Sequence, residues 1–136
     1  MNANGRELEA GQGPLVHKEL SFQIVGAAME VLNYHGHGLN EKIYENSLVV
    51  EFKLQGIAVD QQRRYAVTYK DHDVGLYIPD LLVENSVLVD PKVIEAITNV
   101  EIGQVMNYLR LTKLQLGLIL NFRYPKLQYR RVVLSD

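Results

Sequence analysis

The stretch Tyr77-Ile78-Pro79-Asp80-Leu81-Leu82-Val83-Glu84-Asn85-Ser86-Val87-Leu88-Val89-Asp90-Pro91-Lys92 decides how this chain folds. Two apolar runs flank the turn-forming Glu84-Asn85-Ser86, the pattern of a β-hairpin. With that loop, antiparallel pairing sets Asp80 directly across from Asp90, with both side chains on one face. Lys92, two residues beyond Asp90, shares the face. Like charges opposed across a sheet are destabilising, and unpaired buried carboxylates are more so. Lys92 supplies one neutralising charge, whereas a divalent cation supplies two and prefers oxygen ligands. A register displaced by one residue would put the aspartates on opposite faces, and exposed strand ends would leave both in water. Pro91 cannot donate to a ladder, so the strand is expected to be bulged or on an edge there.

Working outward, residues 1–15 lack periodicity and are read as a disordered leader, with 16–136 as a single domain. Leu20, Ile24, Ala27, Ala28, Val31 and Leu32 recur at helical spacing from about Glu19 to Tyr34, and the glycines of Gly36-His37-Gly38 end the pattern. A second helix is expected from about Leu39 to Gln55, with Tyr44, Leu48 and Phe52 on one stripe. Strands are expected over Val59–Tyr69, Val74–Val83 and Val87–Ile94, the first two joined by a turn at Lys70–Asp73. Helical spacing returns from about Asn99 to Thr112, and Leu114–Phe122 and Leu127–Leu134 read as two further strands. The order ααβββαββ makes this an α/β (α+β) domain with a mixed sheet flanked by helices.

Composition removes several classes of function. The 136 residues include no cysteine, so no disulfide, zinc-thiolate site or cysteine nucleophile is available. No apolar run approaches the roughly 20 residues needed to cross a bilayer, and the N-terminus lacks the order of a signal peptide. A cytoplasmic location without membrane association is therefore expected. Charge is unevenly spread: Arg110, Lys113, Arg123, Lys126, Arg130 and Arg131 fall between Ile102 and Ser135 without one acidic residue. A basic segment beside an acidic one suits a phosphate-binding surface, although a solvated basic face has the same composition.

Glu41 stands at the start of the second helix, on the stripe of Tyr44, Glu45 and Leu48. A carboxylate there complements the helix dipole, or else is a candidate further ligand for a metal held by the hairpin. Gln104 and Tyr108, one turn apart on the third helix, are candidates with Arg110 for contact with a phosphate or base, or else ordinary surface and packing residues. The four histidines show no metal-ligand spacing, and there is no phosphate-binding glycine loop or nucleophile elbow. Tyr65, Tyr69, Tyr77 and Tyr129 read first as sheet packing and second as base-stacking platforms.

The segment Gly38-Leu39-Asn40-Glu41-Lys42-Ile43-Tyr44 resembles the signature after which the GxxExxY family is named, a family placed in the PD-(D/E)xK nuclease superfamily. The resemblance runs from about His17 to Leu134. It takes in Ile24-Val25-Gly26-Ala27-Ala28-Met29-Glu30-Val31, Tyr77-Ile78-Pro79-Asp80-Leu81, Gln104-x-x-Asn107-Tyr108-Leu109 and Leu116-Gly117-Leu118-Ile119-Leu120-Asn121-Phe122. It implies a restriction-endonuclease-like core in which Asp80 is the Pro-Asp aspartate, Asp90 the acidic residue of the second motif and Lys92 its lysine. Glu41 would complete the shell of a Mg²⁺ or Mn²⁺ ion with Asp80 and Asp90. Gln104 and Tyr108 look like the Q-x-x-x-Y element of RecB-type exonucleases, which helps hold DNA. The implied activity is metal-dependent phosphodiester hydrolysis in nucleic acid, DNA ahead of RNA, by a protein that can form a homodimer. In the family the second motif usually has glutamate and an apolar middle residue; Asp90-Pro91-Lys92 departs from it. The alternative is therefore a catalytically impaired nucleic-acid or protein-binding module on the same fold.

Overall fold

The computed structural model describes residues 16–134; the expected leader over 1–15 lies outside them. Helices α1 (Lys18–His35) and α2 (Glu41–Leu54) are followed by β1 (Val59–Asp60), β2 (Tyr65–Tyr69), β3 (His72–Tyr77), β4 (Leu81–Val83) and β5 (Val87–Lys92). Then come α3 (Asn99–Thr112), β6 (Leu116–Asn121) and β7 (Gln128–Val133). Five strands form one mixed sheet in the order β1-β4-β5-β6-β7, and β2 and β3 pair as a separate ribbon. Only β5 and β6 are parallel, and α3 is the crossover between them.

The helices cover both faces of this sheet. On one, Ile24, Ala28 and Leu32 of α1 and Tyr44, Leu48 and Phe52 of α2 pack on Leu81, Val83, Val87, Val89, Leu116, Leu118 and Leu120. On the other, Val105 and Leu109 of α3 pack on Leu82, Leu88, Ile119 and Val132. The alternation of these two sets along each strand is the period-two signature of a sheet buried on both sides. Gly117 lets α3 approach closely: a Cβ there would stand 2.6 Å from the Val105 side chain. Helix α3 starts in a capping box, with Thr98 Oγ1 accepting from the Val100 N–H and Glu101 accepting from the Thr98 N–H.

Two of the expected strands are each divided. The run from Val59 breaks after β1, where Asp60 Oδ1 accepts from the Gln62 N–H and turns the chain. The run ending at Val83 breaks at Ile78-Pro79-Asp80, so its first half joins the ribbon and its second half the sheet. His72 and Asp73 belong to β3, and the turn tightens to Lys70 and Asp71, both with left-handed φ.

The expectation for Pro91 needs correcting. Strand β5 is the central strand, and its register with β6 runs unbroken through Pro91 opposite Leu120. The Phe122 N–H donates to the Lys92 carbonyl, so Lys92 and Asp90 turn their backbone groups toward β6 and Pro91 turns toward β4. Strand β4 begins only at Leu81, opposite Val89. The missing N–H therefore falls where β5 has no partner, an edge-like position inside a central strand.

Candidate active site

Glu41 is placed by the loop before it. Gly36 and Gly38 have φ of 81° and 80°, a region that favours glycine. The Gly38 N–H donates to the Phe122 carbonyl at 2.9 Å, tying the loop to the end of β6. Tyr44 locks it from inside: its hydroxyl donates to the Gly36 carbonyl at 2.6 Å and accepts from the Leu39 N–H at 3.0 Å. Its ring, fully buried, stacks on Phe122 with centroids 4.4 Å apart. Asn40 caps the helix by accepting from the Lys42 N–H at 2.9 Å. The spacing Gly38-x-x-Glu41-x-x-Tyr44 thus has a mechanical sense. The glycine turns, the tyrosine one helical turn on holds the turn, and Glu41 is set as the first residue of α2.

The hairpin delivers the other acids. Its pairs Leu81↔Val89, Leu82↔Leu88 and Val83↔Val87 leave the loop Glu84-Asn85-Ser86, with Glu84 and Asn85 both at left-handed φ. Continued one step, this register sets Asp80 opposite Asp90; two steps set Pro79 opposite Pro91. Neither proline can donate, so the β4–β5 ladder stops there and the two arms part. In the opening lies a cavity of about 280 Å³, lined by Asp80, Asp90, Lys92 and Glu41 and walled by Tyr77, Gln104 and Tyr108.

The acids in this opening oppose one another. Burial, more than any other cause, pushes the Asp90 carboxyl up to about 7, with Asp80 and Glu41 adding to the rise and Lys92 opposing it. Asp80 is raised too, first by burial and then by Glu45, while a hydrogen bond shared with Asp90 and the charges of Lys92 and Lys42 hold it back. Glu41 is raised by burial, against the pull of Lys92. For Lys92 burial works the other way, but Asp90, Glu41 and Asp80 outweigh it and the ammonium is held above its usual range. Its Nζ stands 3.5 Å from Asp90 Oδ1, and both side chains are mostly buried, 23% and 22% exposed. Lys92 is thus a fixed positive charge in a site with more negative charge than it can balance.

Glu41, Asp80, Asp90 and Lys92 are brought into one pocket, and Gln104 and Tyr108 reach it from α3. Arg110 does not line it; exposed on α3, it donates to Asn107 Oδ1 at 2.9 Å. Glu45 was legible only as a member of the Glu41 stripe. It is 4% exposed, accepts from Lys42 Nζ at 3.1 Å and Gln61 Nε2 at 2.9 Å, and its charge acts on Asp80. Among the described residues no three His, Cys, Asp or Glu side chains are already gathered as a metal-holding group. The donor chemistry nonetheless fits a hard cation: the acids are oxygen donors whose charges oppose one another in a pocket short of positive charge.

A family model of the PD-(D/E)XK nuclease superfamily matches residues 18–132. The chain belongs to that superfamily. The five-stranded mixed sheet flanked by helices is consistent with the superfamily fold. Superfamily membership supports a nuclease-like function and implies nucleic acid as the class of substrate, and nucleases of this superfamily typically use divalent metal ions. Comparison with curated proteins and with solved structures gives no match. No helix among the described residues is long and apolar enough to cross a membrane.

Proposed function

We propose that this protein is a metal-dependent nuclease hydrolysing phosphodiester bonds, DNA ahead of RNA, through Asp80, Asp90 and Lys92, with Glu41 as a further metal-facing carboxylate. The observation that carries the reading is the meeting of Asp80 and Asp90 where two prolines end their ladder, with Lys92 alongside and the acids held above their ordinary range. Asp80, Asp90 and Glu41 would hold Mg²⁺ or Mn²⁺, which when bound polarises the phosphate and lowers the pKa of a coordinated water. Lys92, beside Asp90, would orient or deprotonate the attacking water and offset charge in the transition state. Gln104 and Tyr108 would position the nucleotide from α3. The Gly38-x-x-Glu41-x-x-Tyr44 segment supports placing the chain with the GxxExxY proteins.

The test is cleavage of single- and double-stranded DNA and RNA with Mg²⁺, Mn²⁺ or a chelator. Metal-dependent cleavage is expected, lost in Asp80→Ala and Lys92→Ala; no cleavage of any substrate sinks the proposal. One observation favours a second reading, a binding module that has lost turnover: the carboxylates are not gathered into a metal-holding group. That reading expects salt-sensitive binding of nucleic acid without hydrolysis.

A further inference from the structure

One wall of the pocket includes a residue, Tyr77, to which the proposed function gives no task. Tyr77 ends β3, three residues before Asp80, and lines the pocket beside both aspartates. Its ring is held by two others: Tyr108 of α3 stacks on it at 3.9 Å and 13° from parallel. Tyr65, its cross-strand partner in the ribbon, stacks at 6.2 Å, and Arg63 lies 5.3 Å from the Tyr65 ring. The ladder leaves the Tyr77 ring little freedom to turn. Among the described residues its hydroxyl has no hydrogen-bond partner. Burial foremost, then Tyr108, Asp90 and Asp80, keep the phenol protonated far above neutrality.

A pocket lined by carboxylates repels an anionic substrate, so each hydrogen-bond donor directed into it counts. Lys92 is already engaged with Asp90. Tyr77 is an uncharged donor on a rigid ring, next to the acids and unspent. We propose that the Tyr77 hydroxyl is a substrate contact, donating to a non-bridging oxygen of the phosphodiester in the pocket while Tyr65 and Tyr108 hold its ring. The inference rests on the nuclease reading and extends it by assigning a binding role to a residue outside the acidic and lysine motif.

The test compares wild type, Tyr77→Phe and Tyr65→Phe in two assays: binding of a labelled oligonucleotide in Ca²⁺, and its cleavage in Mg²⁺. Phenylalanine keeps each ring and removes one hydroxyl. Loss of a hydrogen bond to a charged oxygen should raise Kd and KM of Tyr77→Phe by roughly tenfold, with kcat held within about twofold, the pattern of a lost ground-state contact. Tyr65→Phe should behave as wild type. Unchanged binding by Tyr77→Phe overturns the inference, as does an equal loss in both variants, which would make packing of the ladder the cause. Absence of cleavage by the wild type would count against the hydrolytic reading alone, because the binding comparison still decides the hydroxyl contact. Absence of binding by the wild type overturns both.

Discussion

Replacing Asp90 with asparagine should make the metal-free protein more stable, because it removes a charge that the fold opposes. Burial and neighbouring acids move the Asp90 carboxyl from 3.8 to about 7, a rise of about three pH units. At about 1.4 kcal/mol per unit this amounts to about 4 kcal/mol. The titrations of Asp90 and Asp80 are coupled, which spreads that cost over the pair, so roughly 2–4 kcal/mol is the expected effect. The Asp90 side chain is 22% exposed, too little for water to screen most of it. The sign follows from linkage: an acid with a raised folded-state pKa binds more protons folded than unfolded. Its stabilising contribution is full below pH about 4 and is lost as pH rises through about 7. Asparagine, of nearly the same shape, has no such slope. Urea unfolding in chelator should therefore find Asp90→Asn more stable than wild type by roughly 2–4 kcal/mol at pH 8, with most of the gain gone at pH 4.5. An Asp90→Asn protein no more stable at pH 8, or equally stabilised at both pH values, would refute the claim that the pocket opposes this charge.

Three further perturbations test how the site is built. Gly117→Ala would set a Cβ 2.6 Å from the Val105 side chain. Thermal or urea unfolding should show a loss of about 1–3 kcal/mol, and substrate binding should weaken because α3 carries Gln104 and Tyr108. Asn121, fully buried, bonds both the N–H and carbonyl of Ile94, and the Arg123 N–H, just past the ends of β5 and β6. Asn121→Ala should lower stability by roughly 2–4 kcal/mol in the same assay, through the partners left unsatisfied. Tyr44→Phe keeps the stack on Phe122 but frees the Gly36 carbonyl and Leu39 N–H; a loss of about 1–2 kcal/mol is expected, with a larger proportional fall in metal affinity, measured by calorimetry, as Glu41 loses its fixed position.

The hairpin was legible because a three-residue polar loop between apolar runs admits one register that buries both sets of side chains, and Leu81↔Val89 is that register. Glu41 was legible through Gly38 and Tyr44. The ribbon was not, because Val74 to Val83 has the composition of one strand; the signal was Pro79, whose missing N–H ends the pairing. Pro91 was noticed but misplaced, since a proline in a central strand needs only that its own side of the ladder be unpaired, which depends on where β4 begins. Arg110 stands two residues from Tyr108, about 200° around the helix, so periodicity alone separates it from the pocket side of α3. Glu45 was read as a stripe member, but a buried carboxylate held by Lys42 and Gln61 depends on a residue 16 positions away, beyond the reach of local pattern.

The central claim is that Asp80 and Asp90 meet in order to hold a cation. A crystal of the protein soaked in Mn²⁺ tests it most directly, through the anomalous signal of the metal. The account predicts a peak bounded by Asp80 and Asp90 carboxylate oxygens, with Glu41 turned toward it. A pocket without a peak at saturating Mn²⁺ would contradict it.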